Sequence, residues 1–348
     1  MRSSKSVRRS SRANKPDMAS AAIADALTQS VIGWCAGATG VRDLAQLSGG
    51  ASQETWSFVI ERPDGDVAAI LRRSPPGYGS VSGRAAGLDV EAELMRLAYE
   101  AGVPSPQVLH VLTEADTLGA GFVMRRVDGE TIPRKILRDA EFAAARPKLA
   151  RQIGSILAGL HGIDGAALPP LRTISSTEEI GLLRDDYRSY DWPRPVFELA
   201  LRWLADHDPG VSKAITLVHG DFRHGNLIIG PDGVRAVLDW ELAHRGDPME
   251  DLGWICVNSW RFGEIDKPVG GLGSREEMFA GYEAAGGHVD EARVKFWEVM
   301  GTLRWGIMCC GMMRRFREDP DHSMERAMIG RRSSETEIDL LRLLAPRN

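Results

Sequence analysis

Hydrophobic residues recur with two different spacings along this chain, and they divide it into a strand-rich first part and a helical second part. The first part opens with a helical pattern over residues 19–37. Trp56, Phe58 and Ile60 then alternate with polar neighbours, and the turn "PDGD" followed by "VAAILR" predicts a hairpin. The other elements predicted here are an amphipathic helix and two strands, at 87–101, 107–115 and 119–127.

From about residue 140 the apolar residues take up helical spacing, as in 147–163, where Ile153 and Leu157 share one face. Further helices are predicted at 177–188, 194–206, 274–286 and 290–315. A hairpin with the turn "GPDG" lies among them. This order predicts an α+β fold, with a small β-rich N-lobe over 19–127, a larger and mostly helical C-lobe over 128–348, and the active site between the lobes.

Composition and charge narrow the class of protein. The 348 residues are 43% hydrophobic and carry a net charge of -5, so the chain lacks the concentrated basic face of a nucleic-acid-binding protein. Only the start is basic, and we expect residues 1–18 to be a disordered tail, or the true start to be Met18. No run of about 18 apolar residues occurs, and no C-x-x-C spacing occurs. We therefore expect a soluble cytoplasmic protein with free thiols and no membrane partner.

Polar residues stand at the ends of apolar strands in "LVHGDFRHGNLIIGPDGVRAVLDW", residues 217–240. Buried carboxylates are costly without a partner, so this placement indicates a chemical role. Protein kinases use an Asp that accepts the hydroxyl proton, an Asn five positions later that binds Mg²⁺, and a second Asp that bridges Mg²⁺ to the phosphates. The same spacing here predicts Asp221 as the catalytic base and Asn226 and Asp239 as magnesium ligands.

Together with "LDWE" and "HRGDPMEDLGWI", this segment resembles the aminoglycoside phosphotransferase family, which includes choline, homoserine and fructosamine kinase relatives. It is most similar to the subgroup related to the kinase-like domain of acyl-CoA dehydrogenase family proteins. The resemblance covers roughly residues 40 to 320. It implies a protein-kinase-like two-lobed fold and an enzyme that uses ATP and Mg²⁺ to phosphorylate a hydroxyl group of a small molecule.

The resemblance also implies two backbone segments that hold the nucleotide. In the turn "LSGGASQETW", small residues let backbone N–H groups approach the triphosphate: Gly49, Gly50, Ala51 and Ser52. The connector "MRRVDGE" between the lobes would lie against adenine through Met124, Arg125 and Val127.

A cation and its acidic partner complete the implied nucleotide site. Arg72 replaces the usual Lys on the second strand of the hairpin, and its planar fork suits phosphate. Arg73 is the alternative, because strand alternation sends only one of the two into the cleft. Glu91 is the preferred partner because it shares a helical face with Leu94, and Glu93 is the alternative.

Other polar residues of the segment are expected to act on the loop rather than on the substrate. His219 should pack under the loop, Asp251 should cap a helix and brace the loop, and Asp247 should form a turn. His224 either lines the acceptor side or is exposed. Gly220 stands where many protein kinases have an Arg that pairs with an activation-loop phosphate, so phosphorylation-gated activation is not expected.

The acceptor and two rival functions stay open at this level. Five acidic residues between 178 and 191 would suit a polycationic aminoglycoside, whereas seven of the nine Trp fall after residue 190 and would suit an amphipathic or apolar alcohol. A silent nucleotide-binding protein of the same fold is one rival. A metal-dependent phosphohydrolase is the other, with His219, Asp221 and His224 as H-x-D-x-x-H ligands.

Overall fold

The computed structural model describes residues 18–47, 53–74, 85–319 and 322–345. These described residues form two compact units. The smaller unit contains those before residue 75 together with His110–Met124, and the larger unit contains the rest. Both helices and strands are well represented, so the fold is α+β as predicted.

The smaller unit is built from a helix and most of a five-stranded sheet. Its elements are α1 (Met18–Trp34), β1 (Gly40–Leu47), β2 (Glu54–Glu61), β3 (Val67–Ser74), β4 (Val108–Val111) and β5 (Ala120–Arg125). The sheet order is β1-β2-β3-β5-β4. The alternation that predicted β2 is confirmed, because Trp56, Phe58 and Ile60 are all buried. Trp56 pairs with Leu71 and Phe58 with Ala69 across the β2–β3 ladder.

The strand predicted over 107–115 is shorter in the structure, because the chain leaves the sheet after Val111 and forms a 3-10 turn at Glu114–Asp116. A buried carboxylate explains the turn. Asp116 accepts hydrogen bonds from the Thr113 backbone N–H at 2.7 Å and its hydroxyl at 2.9 Å. Its other contacts are the Ser30 hydroxyl on α1 and His110 Nε2 at 3.1 Å. Polar side-chain contacts that sequence periodicity does not register therefore end the strand.

This cluster makes the smaller unit sensitive to acid. Burial opposes ionisation of Asp116, but hydrogen bonds from Ser30, Thr113 and His110 outweigh it and lower its pKa from 3.8 to about 2. A lowered folded-state pKa contributes stability that is present above the ordinary pKa and is lost as the pH falls towards about 2. We expect Asp116→Asn to cost about 2 kcal/mol at pH 7. In urea denaturation the difference from wild type should shrink steadily below pH 4.

A matched control is Asp64→Asn, which removes an exposed partner of Arg62 at the surface. It should leave the midpoint of urea denaturation close to that of wild type at every pH. If Asp116→Asn lost the same amount of stability at pH 7 and at pH 2.5, the stabilising role of the ionised Asp116 carboxylate would be contradicted.

The larger unit is mostly helical and holds two small two-stranded sheets. Its helices are α2 (Leu88–Glu100), α3 (Pro133–Arg138), α4 (Arg146–His161), α5 (Ser176–Ser189), α6 (Pro195–Asp206), α7 (Met249–Ile255), α8 (Arg275–Ala284), α9 (Glu291–Glu318), α10 (Met324–Arg331) and α11 (Ser333–Leu344). Its strands are β6 (Thr216–Val218), β7 (Leu227–Gly230), β8 (Gly233–Val237) and β9 (His244–Gly246). Among the described residues, no helix is both long and apolar enough to cross a bilayer.

The longer helices lie within a few residues of the predicted bounds, because each carries a wide apolar face. The sequence did not predict α3, α10 and α11: α3 and α10 have only six and eight residues, and the face that α11 buries carries Ser333, Thr336 and Asp339 beside Leu340. Such helices owe their stability to packing rather than to their own periodicity. Close packing also decides how α4 meets α8, since a Cβ atom on Gly154 would lie 1.9 Å from the Met278 carbonyl oxygen.

The two small sheets position the polar loops. The β7–β8 hairpin turns at the predicted "GPDG". Val218 at the end of β6 pairs with His244 at the start of β9. The loops that follow β6 and β8 therefore both start from buried, hydrogen-bonded strands of the larger unit.

Candidate active site

The loop between β6 and β7 carries the first two predicted site residues, and the structure brings them into contact. Asn226 Nδ2 donates to Asp221 Oδ2 at 2.8 Å and to the Asp221 carbonyl oxygen at 3.0 Å. This contact leaves the amide oxygen of Asn226 available for another partner. Asn226 itself is buried, whereas the Asp221 side chain is 15% exposed and lines a cavity.

Asp239 follows β8 in an unusual backbone conformation. Its φ is +68°, in the left-handed region that non-glycine residues seldom occupy. The preceding residue anchors it, because the Leu238 N–H donates to the Asn226 carbonyl oxygen at 2.8 Å. Asp239 lines the same cavity as Asp221. Held backbone strain of this kind is concentrated at functional sites.

Asp251 in α7 braces the loop from below, as predicted. Its carboxylate accepts the backbone N–H groups of His219 at 2.8 Å and Gly220 at 3.0 Å, and it contacts His161 Nε2 at 3.1 Å. Burial opposes ionisation, but His161 and the loop keep the pKa of Asp251 below its ordinary value. The capping role predicted for Asp251 is wrong, because the residue lies inside the helix and its carboxylate bonds the loop instead.

Gly220 is required by the shape of this loop. Its φ is +79°, and a Cβ atom here would lie 2.5 Å from the Leu242 carbonyl oxygen. A side chain such as Arg could enter only if the loop moved.

Neither histidine of the segment belongs to a group of three or more His, Cys, Asp or Glu side chains that could hold a metal ion among the described residues. His219 is buried as predicted: its Nε2 donates to the Leu238 carbonyl oxygen at 3.1 Å and its Nδ1 accepts the Asp221 N–H at 3.2 Å. Burial lowers the pKa of His219, so the ring is neutral. Both predictions for His224 are wrong, because it is fully buried against Gly270 and lies outside the cavity lining. Burial lowers its pKa to about 4.

Asp247 has the predicted turn role. Its Oδ1 accepts the Met249 N–H at 3.0 Å at the start of α7, and its Oδ2 binds Arg293 Nη1 at 2.5 Å.

Two further residues hold the Asp221 carboxylate, and the sequence reasoning missed both. Trp254 Nε1 donates to Asp221 Oδ1 at 2.9 Å. Arg223 Nε lies 3.1 Å from each carboxylate oxygen, and its guanidinium stacks over Trp260 at 5.1 Å. A usable signal for Trp254 was its position three residues after Asp251, one helical turn along α7.

A buried ion-pair cluster lies behind Trp254. Arg304 on α9 donates to Glu250 Oε1 at 3.0 Å and to the Gly220 carbonyl oxygen at 3.0 Å. His244 Nε2 contacts Glu250 Oε2 at 3.1 Å. Burial disfavours both charges, but Glu250 raises the pKa of His244, and His244 with Arg304 lowers the pKa of Glu250.

The cavity beside Asp221 has a volume of about 540 Å³. Its apolar wall contains aromatic and aliphatic side chains: Leu183, Tyr190, Leu242, Trp254, Trp260, Phe262, Trp305, Ile307, Met308 and Ile329. Its charged lining is mixed: Arg172, Glu179, Asp186, Asp221, Arg223, Asp239, Glu241, Arg304 and Arg332. The acidic residues predicted to favour a polycation contribute only Glu179 and Asp186, and arginines offset them.

The donor atoms of Asn226 and Asp239 fit a magnesium ion. Both offer hard oxygen ligands, and protein sites for Mg²⁺ commonly supply one or two carboxylates while water and substrate phosphates complete the shell. The hydrogen bond from Leu238 to Asn226 joins the two ligand-bearing segments.

In the smaller unit, strand alternation separates Arg72 from Arg73. Arg73 is buried on the face of Trp56 and Leu71, where it binds Glu54 Oε2 at 2.9 Å and the Leu118 carbonyl oxygen at 3.0 Å. Arg72 lies on the opposite face, and its Nε donates to Gln53 Oε1 at 2.9 Å. The Arg73 side chain is therefore used for contacts within the smaller unit, and Arg72 is the candidate for binding phosphate.

The remaining nucleotide candidates have varied surroundings. Glu91 is buried on the packed face of α2, whereas Glu93 is exposed enough to pair with Arg96 at 2.6 Å. Met124 is buried near the end of β5, and the Arg125 N–H donates to the Gln107 carbonyl oxygen at 2.8 Å. Val127 is half-buried in the connector. Gly49, Gly50, Ala51 and Ser52 lie outside the described residues.

Comparison with family models identifies the family of this chain. A family model described as the phosphotransferase enzyme family matches residues 43–297. The chain belongs to this family. Solved structures agree on the kinase-like fold. A Ralstonia eutropha protein assigned to the aminoglycoside phosphotransferases has a TM-score of 0.71 and 19% identity, covering 92% of this chain and 97% of that one.

Two further proteins are similar to this chain. Spectinomycin phosphotransferase in complex with ADP and spectinomycin has a TM-score of 0.62 and 12% identity, covering 92% of this chain and 98% of that one. The acyl-CoA dehydrogenase family member 10 of Mus musculus is 30% identical over 63% of this chain. That match covers only 20% of the mouse protein, so this chain corresponds to a small part of it.

Proposed function

We propose that this phosphotransferase moves the γ-phosphoryl group of ATP to a hydroxyl group of an amphipathic small molecule. The single observation that carries the proposal is the Asp221 carboxylate, held by Asn226 and exposed to a cavity of about 540 Å³ that Asp239 also lines. A carboxylate, an amide oxygen and a second carboxylate are the groups that phosphoryl transfer to an alcohol needs.

In the proposed reaction the Asp221 carboxylate accepts the proton of the acceptor hydroxyl, while the oxygen of that hydroxyl attacks the γ-phosphorus. The bond between the γ-phosphorus and the oxygen that bridges it to the β-phosphate breaks, and ADP leaves. Asn226 and Asp239 would hold Mg²⁺, which supplies positive charge to the phosphate oxygens when bound. Arg223, whose Nε lies 3.1 Å from both Asp221 oxygens, would help to orient the carboxylate.

For the nucleotide we propose Arg72 as the cation for the non-transferred phosphates, with Glu91 as its acidic partner. The commitment of Arg73 to Glu54 and the surface pairing of Glu93 with Arg96 support this choice over the alternatives. Because the Arg125 N–H is used within the sheet, Val127 is the proposed backbone partner of adenine, with Met124 beside it. We also propose that Gly49, Gly50, Ala51 and Ser52 contact the phosphates, as the family resemblance implies.

An amphipathic or apolar alcohol is the proposed acceptor rather than a polycationic aminoglycoside. Three indole rings, Trp254, Trp260 and Trp305, follow one another along the wall with centroids 5.3 Å and 4.9 Å apart. Four arginines share the charged lining with five acidic residues, so the excess of negative charge is too small to favour a polycation.

The metal and nucleotide roles can be tested together by thermal shift. We expect ATP with Mg²⁺ to raise the melting temperature by mass action, equivalent to about 2.7 kcal/mol when ATP is at a hundred times its Kd. Asp239→Asn should remove most of the Mg²⁺-dependent rise in melting temperature, because the variant loses a proposed carboxylate ligand. Asp232→Asn is the matched control, since Asp232 is an exposed residue of the β7–β8 turn.

Phosphorylation assays with an alkyl-chain alcohol and with spectinomycin would then separate the acceptors. A Mg²⁺-dependent shift without turnover on any alcohol or on water would favour the silent nucleotide-binding protein. No shift with ATP would contradict the proposed function. The phosphohydrolase is disfavoured already, because His219 uses both ring nitrogens within the loop and His224 is buried against Gly270.

A further inference from the structure

Trp254 contacts the carboxylate proposed as the catalytic base, although nothing in the D-x-x-x-x-N pattern includes it. Its indole N–H donates to Asp221 Oδ1 at 2.9 Å, while Asn226 Nδ2 donates to Oδ2 at 2.8 Å. Each oxygen of the carboxylate therefore has its own directed donor, in addition to Arg223 Nε, which lies 3.1 Å from both oxygens. Two such bonds fix the rotation of the carboxylate about its Cβ–Cγ bond, which one bond alone does not do.

The face of the Trp254 indole is held as well. The Arg304 guanidinium lies over the Trp254 ring at 4.0 Å from its centroid. Arg304 also binds the Gly220 carbonyl oxygen and Glu250, the residue next to Asp251, which braces the loop. Trp254 is only 3% exposed. A planar cation stacked on a buried indole restricts both the tilt and the sliding of the ring.

We infer that Trp254 and Arg304 are positioning residues that set the orientation of Asp221 for proton acceptance. The inference rests on the proposed function, because it assigns these residues to the base of that reaction. Neither side chain is expected to exchange a proton. Loss of the indole N–H should slow turnover and leave the affinity for nucleotide unchanged, since the bond is made to the base and not to the phosphates.

The hydrogen bond can be tested without any turnover, by NMR of protein labelled with ¹⁵N at the indoles of its nine tryptophans. Trp254→Phe identifies the Trp254 resonance by its disappearance. Asp221→Ala should move that resonance upfield by removing its charged acceptor, and Arg304→Lys should also move it. Arg317→Lys is the matched control, because Arg317 stacks on Trp192 at 5.1 Å.

Kinetics then test the positioning role, with water as the acceptor so that ATP hydrolysis is measured. Trp254→Phe should lower kcat roughly tenfold to a hundredfold, the value of a hydrogen bond to a charged group, with KM for ATP unchanged. In an Asp221→Asn background the same substitution should have little further effect, whereas a merely structural role would lower kcat equally in both backgrounds. Trp297→Phe controls for trimming a buried indole of α9.

The outcomes separate the two proposals. A Trp254 resonance that does not respond to Asp221→Ala overturns the positioning role alone, as do equal kinetic losses in the two backgrounds. Wild-type protein that turns over no ATP with water or any alcohol overturns the proposed function and, with it, the positioning role.

Discussion

Asp221→Asn is expected to lower kcat for phosphoryl transfer by about 10²–10⁴, the range typical of a lost general base. The variant keeps the size and the hydrogen-bonding oxygen of the side chain, so the contact with Trp254 can persist. It loses the negative charge that accepts the hydroxyl proton. Binding of ATP with Mg²⁺, measured by thermal shift, should be within twofold of wild type because Asn226 and Asp239 are unchanged.

Asp232→Asn provides the matched control for this experiment. Asp232 is an Asp of the same hairpin region, but it is exposed and pairs with Arg235 at the surface. The kcat of the Asp232→Asn variant should equal that of wild type. An Asp221→Asn enzyme that retains its turnover would show that another group accepts the proton.

Asp251→Ala is expected to destabilise the protein by about 3–5 kcal/mol, as removal of one partner from a buried charged cluster does. The change leaves the backbone N–H groups of His219 and Gly220 without their acceptor and strands His161 in the interior. Urea denaturation would measure the loss. Activity should fall as well, since these N–H groups define the path of the loop that carries Asp221.

A second variant separates the electrostatic effect from a failure to fold. Asp251→Asn keeps one oxygen acceptor and should cost less than the Ala variant, with soluble protein still obtained. The surface substitution Asp232→Ala should change stability by less than about 0.5 kcal/mol. An Asp251→Ala protein as stable as this control would contradict the bracing role.

Much of the fold followed from periodicity. The long amphipathic helices α2, α4, α5, α6, α8 and α9 lie close to their predicted positions, because each buries a face wide enough to be visible in one sequence. The 3-10 turn at Asp116 and the helices α3, α10 and α11 could not be predicted from periodicity. Their boundaries come from side-chain hydrogen bonds and from packing against distant elements, neither of which leaves a local repeat.

At the candidate site, the sequence predicted which residues carry the chemistry but not what holds them. The spacing of Asp221 and Asn226 brought both into one loop, where their side chains meet. Arg72 and Arg73 could not be distinguished until the strand register placed Arg73 beside Glu54. The prediction for His224 was wrong because the sequence does not show whether a polar side chain in a loop is buried, as that of His224 is against Gly270.

The sequence alone determined the α+β class, the family pattern and the order Asp221, Asn226, Asp239, because these depend on local spacing. The tertiary structure decided the surroundings of Asp221: the indole of Trp254 from α7, Arg304 stacked upon it from α9, and Asp251 beneath the loop. These contacts join residues that are 31 to 84 positions apart. Only a folded core can hold such distant groups within hydrogen-bonding distance, and no local pattern records them.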